Sequence, residues 1–183
     1  MQAIIDAIKN GELKANPVVV ISNNSNSKAL QRAQNEGIPS YHLSHKTHPR
    51  SEELDQTILE VLTIHHTDLV VLAGYMKKIG KLVLEAYQGK ILNIHPALLP
   101  KFGGQGMYGS RVHEAVLKAG EKESGVTVHL VDEHYDHGPT LAQKRVPVLE
   151  NDTTDSLAER VLKEEHKIYA ETIGKIVSGE IEL

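Results

Sequence analysis

The hydrophobic positions of this chain follow two rhythms in turn. From Met1 to Lys9, Ala3, Ile4, Ala7 and Ile8 recur at helical spacing on one face. The run NPVVVIS, Asn16 to Ser22, is β-branched and bounded by turn residues, which predicts a buried strand. SKALQRAQNEGIP then predicts a helix that stops at Gly37. Ser51 to His65 predicts a longer amphipathic helix with Leu54, Ile58, Val61 and Leu62 turned inward. TDLVVLAGY, Thr67 to Tyr75, predicts a second buried strand, KIGKLVLEAY a short helix, and KILNIH a third strand. A helix over Arg111 to Ala119 follows, then strands in SGVTVHLVD (Ser124 to Asp132) and TLAQKRVPV. The last helix covers Thr154 to Ser178, with Leu157, Val161, Ile168, Ile173 and Ile176 apolar.

Apolar strands alternating with amphipathic helices predict an α/β fold: a doubly wound, mostly parallel sheet with helices on both faces. In such sheets ligands sit beyond the carboxyl ends of the strands. Four segments lie there: Ser22 to Ser27, Gly74 to Lys78, Asn93 to Gly109, and Asp132 to Pro139.

Composition narrows the picture. The 183 residues suffice for a single domain with a sizeable core. At 40% apolar and 24% charged residues the chain reads as globular. A net charge of −4 is unlike the basic footprint of a nucleic-acid binder. The absence of cysteine excludes disulfides and thiolate chemistry. No apolar run has the length of a membrane span and no signal-peptide pattern opens the chain, so a cytoplasmic protein without a membrane partner is expected.

The chemistry concentrates in KILNIHPALLPKFGG. Asn93 and His95 are polar residues at the end of a buried strand, where unpartnered polar groups are costly. Two apart, they share a face, while Ile94 points the other way. An amide beside an imidazole can hold a developing oxyanion and move a proton. The second acidic segment, VDEHYDHGPT, follows another strand and offers Asp132 or Asp136 to the same crevice. Asn, His and Asp together suit acyl transfer to an amine. Without Cys or a G-x-S-x-G elbow, no covalent acyl-enzyme is expected. His134 and His137 lack a clear third ligand, so no metal is expected. His42, His45 and His48 fall in a polar loop, and His129 reads as a packed, hydrogen-bonded residue lining the site. Gly103, Gly104, Gly106 and Gly109 match no phosphate loop and predict a mobile lid.

These segments resemble the phosphoribosylglycinamide formyltransferase family. VVLAGYMKKI, ILNIHPALLPKF, ESGVTVHLVDEHYDHGP, AQKRVPV and EEHKIY occur in that family's order and approximate spacing, over nearly the whole chain. The resemblance implies a Rossmann-like formyltransferase domain over residues 1–183. It implies transfer of a formyl group from 10-formyltetrahydrofolate, as co-substrate, to the amine of glycinamide ribonucleotide, by a monomer or homodimer. Asn93 would hold the formyl oxygen, His95 would assist and relay protons, and Asp136 would fix His95. Tyr75, Met76, Lys77, Ile79, Val131, Asp132 and Asp136 would line the folate site, and Glu165 would contact the nucleotide. Lys77 stands where the family often has Arg, keeping the charge but losing the bidentate fork.

Two departures from the family pattern carry expectations of their own. The family opens with a strand and a Gly-Ser-rich phosphate loop, and its next helix resembles MQAIIDAI, so the first strand and loop are missing from this sequence. The strands around Val18–Ser22 and Leu69–Ala73 would then face each other across a gap, pair directly after a shift, or accept a strand from another copy. An inactive or folate-binding remnant, or another folate-dependent formyl-group enzyme, is the alternative reading. The stretch GGQGMYGSRVHEAV is longer than its counterpart in some members and would place Met107 and Tyr108 near the folate mouth.

Overall fold

The computed structural model describes all residues, Met1–Leu183. The elements run α1 (Gln2–Lys9), β1 (Val20–Ser22), α2 (Lys28–Asn35), β2 (Ser40–His42), α3 (Ser51–Ile64), β3 (Val70–Leu72), α4 (Lys81–Ala86), β4 (Ile91–His95), α5 (Ser110–Lys118), β5 (Glu123–Leu130), β6 (Thr140–Pro147) and α6 (Thr154–Val177). No helix is long and apolar enough to cross a membrane.

Side-chain alternation along β4 explains the layering. Leu92 enters the largest core, where Val116 of α5 and Leu157, Val161, Tyr169 and Ile173 of α6 pack against Val126 and Val128 of β5. Ile91 points to the other face, into a cluster with Leu62 of α3 and Val83 and Tyr87 near α4. Helices therefore cover both faces, as the pattern predicts.

The pairing is more mixed than predicted. β1–β2 and β3–β4 are parallel, but β4–β5 and β5–β6 are antiparallel. The physical reason for the last pair is its connection: residues 131–139 are too few for the crossover a parallel pair needs. The strands also form two sheets, β1–β2 and β3–β4–β5–β6, with no hydrogen-bonded pairing of β1 to β3. Direct pairing of those two strands, one of the expected arrangements, is not observed. Val19 and Ile21 still pack on the same cluster as Val70 and Leu72, so side chains join what the backbone does not.

His42 lies in β2, a strand the polar sequence concealed. Its pairing rests on the backbone, with the Val20 N–H donating to the Pro39 carbonyl (2.9 Å) and the Leu43 N–H to the Ser22 carbonyl (3.0 Å). Such a ladder needs no apolar side chains, so periodicity does not reveal it.

α6 begins with a reciprocal cap. The Thr153 hydroxyl accepts the Ser156 N–H (3.2 Å) and the Ser156 hydroxyl accepts the Thr153 N–H (3.0 Å). Arg160 then reaches back to both oxygens of Asp152, at 2.6 and 2.7 Å. The Arg160 guanidinium holds the Asp152 carboxyl well below the usual carboxylate range. A depressed carboxylate pKa stabilises the fold above the unfolded-state value, and that stabilisation is lost as pH falls through the folded value. Asp152→Asn should therefore lower the melting temperature at pH ~7, and the difference should shrink below pH ~4. Calorimetry on both sides of that range checks it.

Candidate active site

Asn93 and His95 close β4 on the face that carries Ile91. Antiparallel register sets His129 of β5 directly opposite Asn93, and Thr127 opposite His95. The Asn93 amide nitrogen donates to His129 Nε2 at 3.2 Å, and His129 Nδ1–H donates to the Leu130 carbonyl at 2.8 Å. These two contacts put a proton on Nδ1 and use Nε2 as an acceptor.

Asp136 reaches the same point from the β5–β6 loop. Its Oδ2 lies 3.5 Å from His95 Nδ1 and its Oδ1 lies 3.5 Å from His129 Nε2. The Gly104 N–H donates to Oδ2 at 2.9 Å. Gly103 allows this approach, because a Cβ there would stand 2.5 Å from a Leu99 methyl and 3.2 Å from the Asp136 Cβ. Asp136 itself has φ +59°, a left-handed conformation uncommon for a residue with a side chain and a form of strain that clusters at working sites. Asp132, the other acid in this loop, is exposed and accepts the His134 N–H at 2.7 Å. The structure thus brings Asp136, not Asp132, to the two histidines.

His95 is 4% exposed. Its Nε2–H donates to the Phe102 carbonyl at 2.7 Å, leaving Nδ1 toward Asp136. Burial pushes its pKa down, the Asp136 carboxylate and the Phe102 carbonyl push it up, and burial prevails. Asp136 shows the converse balance. Burial raises its pKa, but the His129 ring beside it, the His95 charge and the Gly104 amide together hold it below the usual carboxylate value. His113 of α5 is buried nearby with Nδ1 unpartnered, and burial, then the charge of His95, lower its pKa.

The expected folate-lining residues fall on two loops. Tyr75, Met76, Lys77 and Ile79 connect β3 to α4, with Tyr75 and Ile79 half-buried and Met76 and Lys77 exposed. Val131 begins the β5–β6 loop, and it packs in the same cluster as Ile79, which draws the two loops together. Glu165 is half-buried on α6, and burial pushes its carboxyl pKa up. One turn further along that face, the Tyr169 hydroxyl lies 2.9 Å from the Leu72 carbonyl and 3.1 Å from the Leu92 carbonyl, pinning the helix to β3 and β4. The His134 and His137 rings are 5.8 Å apart with no third metal ligand beside them.

Sequence reasoning missed the Phe102 carbonyl, Thr127, Gln143 and His113. Thr127 could have been found, since alternation in SGVTVHLVD puts it on the face of His129. A backbone carbonyl leaves no mark in the sequence.

Residues 1–173 match the family described as formyl transferase. The chain belongs to the formyl transferase family. Its relatives include a chloroplastic phosphoribosylglycinamide formyltransferase of Vigna unguiculata, 44% identical over 94% of this chain and 55% of that protein. The phosphoribosylglycinamide formyltransferase of Bacillus subtilis is 38% identical over 96% of this chain and 88% of its own length. This formyl transferase chain thus spans little more than half of the plant relative and most of the bacterial one. The solved phosphoribosylglycinamide formyltransferase of Bacillus halodurans superposes with a TM-score of 0.90 at 37% identity, covering 100% of this chain and 91% of that one.

Proposed function

We propose that the protein transfers the formyl group of 10-formyltetrahydrofolate to the amine of glycinamide ribonucleotide. The observation that carries the reading is Asp136, whose two carboxylate oxygens each lie 3.5 Å from a histidine, one at the strand end that also holds Asn93. Names of relatives at 34% to 44% identity support the choice of donor and acceptor.

The substrate amine attacks the formyl carbon, and the carbonyl electrons move to oxygen. The Asn93 amide donates a hydrogen bond to that oxyanion, and the positive charge of a protonated His95 beside it stabilises it further. The Asp136 carboxylate stabilises the imidazolium and accepts, through water, the proton the attacking nitrogen must shed. The bond from the formyl carbon to folate N10 then breaks, N10 takes a proton, and tetrahydrofolate leaves. No covalent enzyme intermediate is required, which agrees with a site without a thiol or an activated serine.

Half-buried Tyr75, Ile79 and Val131 supply an apolar wall for the pterin, with exposed Met76 at its edge and Lys77 and Asp132 as its polar rim. Half-buried Glu165 accepts a hydrogen bond from the neutral amino group of the nucleotide, which attacks as the free base. Incubation with both substrates should yield formylated nucleotide and tetrahydrofolate in equal amounts. Formate release without an amine acceptor would overturn the reading in favour of a hydrolase. Asn93→Ala should lower kcat about 10²-fold, the usual loss of one oxyanion donor, with little change in melting. Unchanged turnover would remove Asn93 from this role.

A further inference from the structure

The chain leaves β4 at His95 and must fold back within seven residues to present the Phe102 carbonyl to the ring it has just passed. One rung of the sheet accounts for that reversal. His95 of β4 stands opposite Thr127 of β5, and Thr127 stands opposite Gln143 of β6. The Thr127 hydroxyl, 0% exposed at its residue, donates to the Ala97 carbonyl at 2.7 Å and accepts the Leu99 N–H at 3.1 Å. The Gln143 amide donates to the same hydroxyl at 3.0 Å and to the Leu99 carbonyl at 2.9 Å. The hydroxyl is then fully used, with one donation and two acceptances.

We propose that Thr127 and Gln143 are positioning residues: they brace residues 96–102 so that the Phe102 carbonyl meets His95 Nε2, and thereby set the proton affinity of His95. Removing the brace frees the carbonyl, and a hydrogen bond that favours the charged ring is lost. The other groups facing His95 come from separate elements: Asp136 from the β5–β6 loop, His129 from β5 and His113 from α5. None of them is bonded to Thr127 or Gln143, so the brace acts through the Phe102 carbonyl.

The inference rests on the formyl-transfer reading for its kinetic consequence only, because ring titration is measured in the free protein. The experiment follows the His95 imidazole signal against pH by NMR, assigned with His95→Gln. Thr127→Val and Gln143→Leu should each lower its midpoint by about 0.5–1 pH unit. Thr127→Ser, which keeps the hydroxyl, should titrate as the parent does, and the double variant Thr127→Val with Gln143→Leu should shift little further than either alone. Gln143 is exposed, so its replacement tests the brace without disturbing the core. Under the proposed function, kcat at neutral pH falls about 3–10-fold in the two disrupting variants while both KM values stay within about twofold, as the protonated fraction falls. An unmoved midpoint in folded Gln143→Leu and Thr127→Val overturns the brace. A shifted midpoint in a protein that transfers no formyl group supports the brace and overturns the functional reading.

Discussion

Asp136→Asn lowers formyl transfer about 10³-fold, within the range for lost general acid–base function, and leaves the fold standing. The side chain keeps its shape and can still accept from the Gly104 N–H, so the loop has little reason to move. What disappears is the charge shared by His95 and His129. Burial already pushes the His95 pKa down, and the Asp136 carboxylate is the largest influence opposing it. Without that carboxylate the imidazolium exists only at lower pH, so the alkaline limb of the kcat profile moves to lower pH. The pH dependence of kcat and a thermal melt of the same preparation check both halves. A variant that retains turnover, or an alkaline limb that stays in place, shows that Asp136 does not govern His95.

Gly138→Ala produces nearly as large a loss by another route. A Cβ at this position would lie 1.9 Å from the Leu130 carbonyl oxygen, a clash with backbone that no rotamer change relieves. Either β5 or the loop must shift. Asp136 is two residues away in a strained left-handed conformation, so the loop is the part that gives. The expected stability cost is about 1–3 kcal/mol, typical of forced overpacking. Displacing the carboxylate by even ~1 Å costs on the order of 10²-fold in rate. Denaturant melts with kcat measured in parallel test it, and wild-type kcat in a stable Gly138→Ala protein shows that the loop adapts without moving Asp136.

The site was legible in the sequence where side chains follow a period. Asn93 and His95 share a face because strands alternate, and the loop that brings Asp136 to them ends in the readable pair Gly138–Pro139. The choice between Asp132 and Asp136 came from the family resemblance and not from the residue pattern, since both stand in one acidic turn and only the backbone conformation aims one of them inward. The Phe102 carbonyl was equally hidden, because every residue carries a carbonyl and only the folded path gives one a role. In the fold, the long helix α6 and the places of β1, β3 and β4 were clear from apolar spacing, although β1 (Val20–Ser22) and β3 (Val70–Leu72) are shorter than their apolar runs. β2 was not, because Ser40–His42 pairs through its backbone. The antiparallel β5–β6 hairpin differed from the expected parallel order because apolar alternation reports burial and not strand direction.

The chain contains six tyrosines and no tryptophan, so its near-ultraviolet absorbance is mainly a tyrosine signal. One of those rings is the clasp between α6 and strands β3 and β4. Burial pushes the Tyr169 hydroxyl well above the usual phenol range. Tyr169 therefore surrenders its proton last, and only when helix and sheet come apart. In an alkaline titration the final step in tyrosinate absorbance is an optical record of that clasp opening.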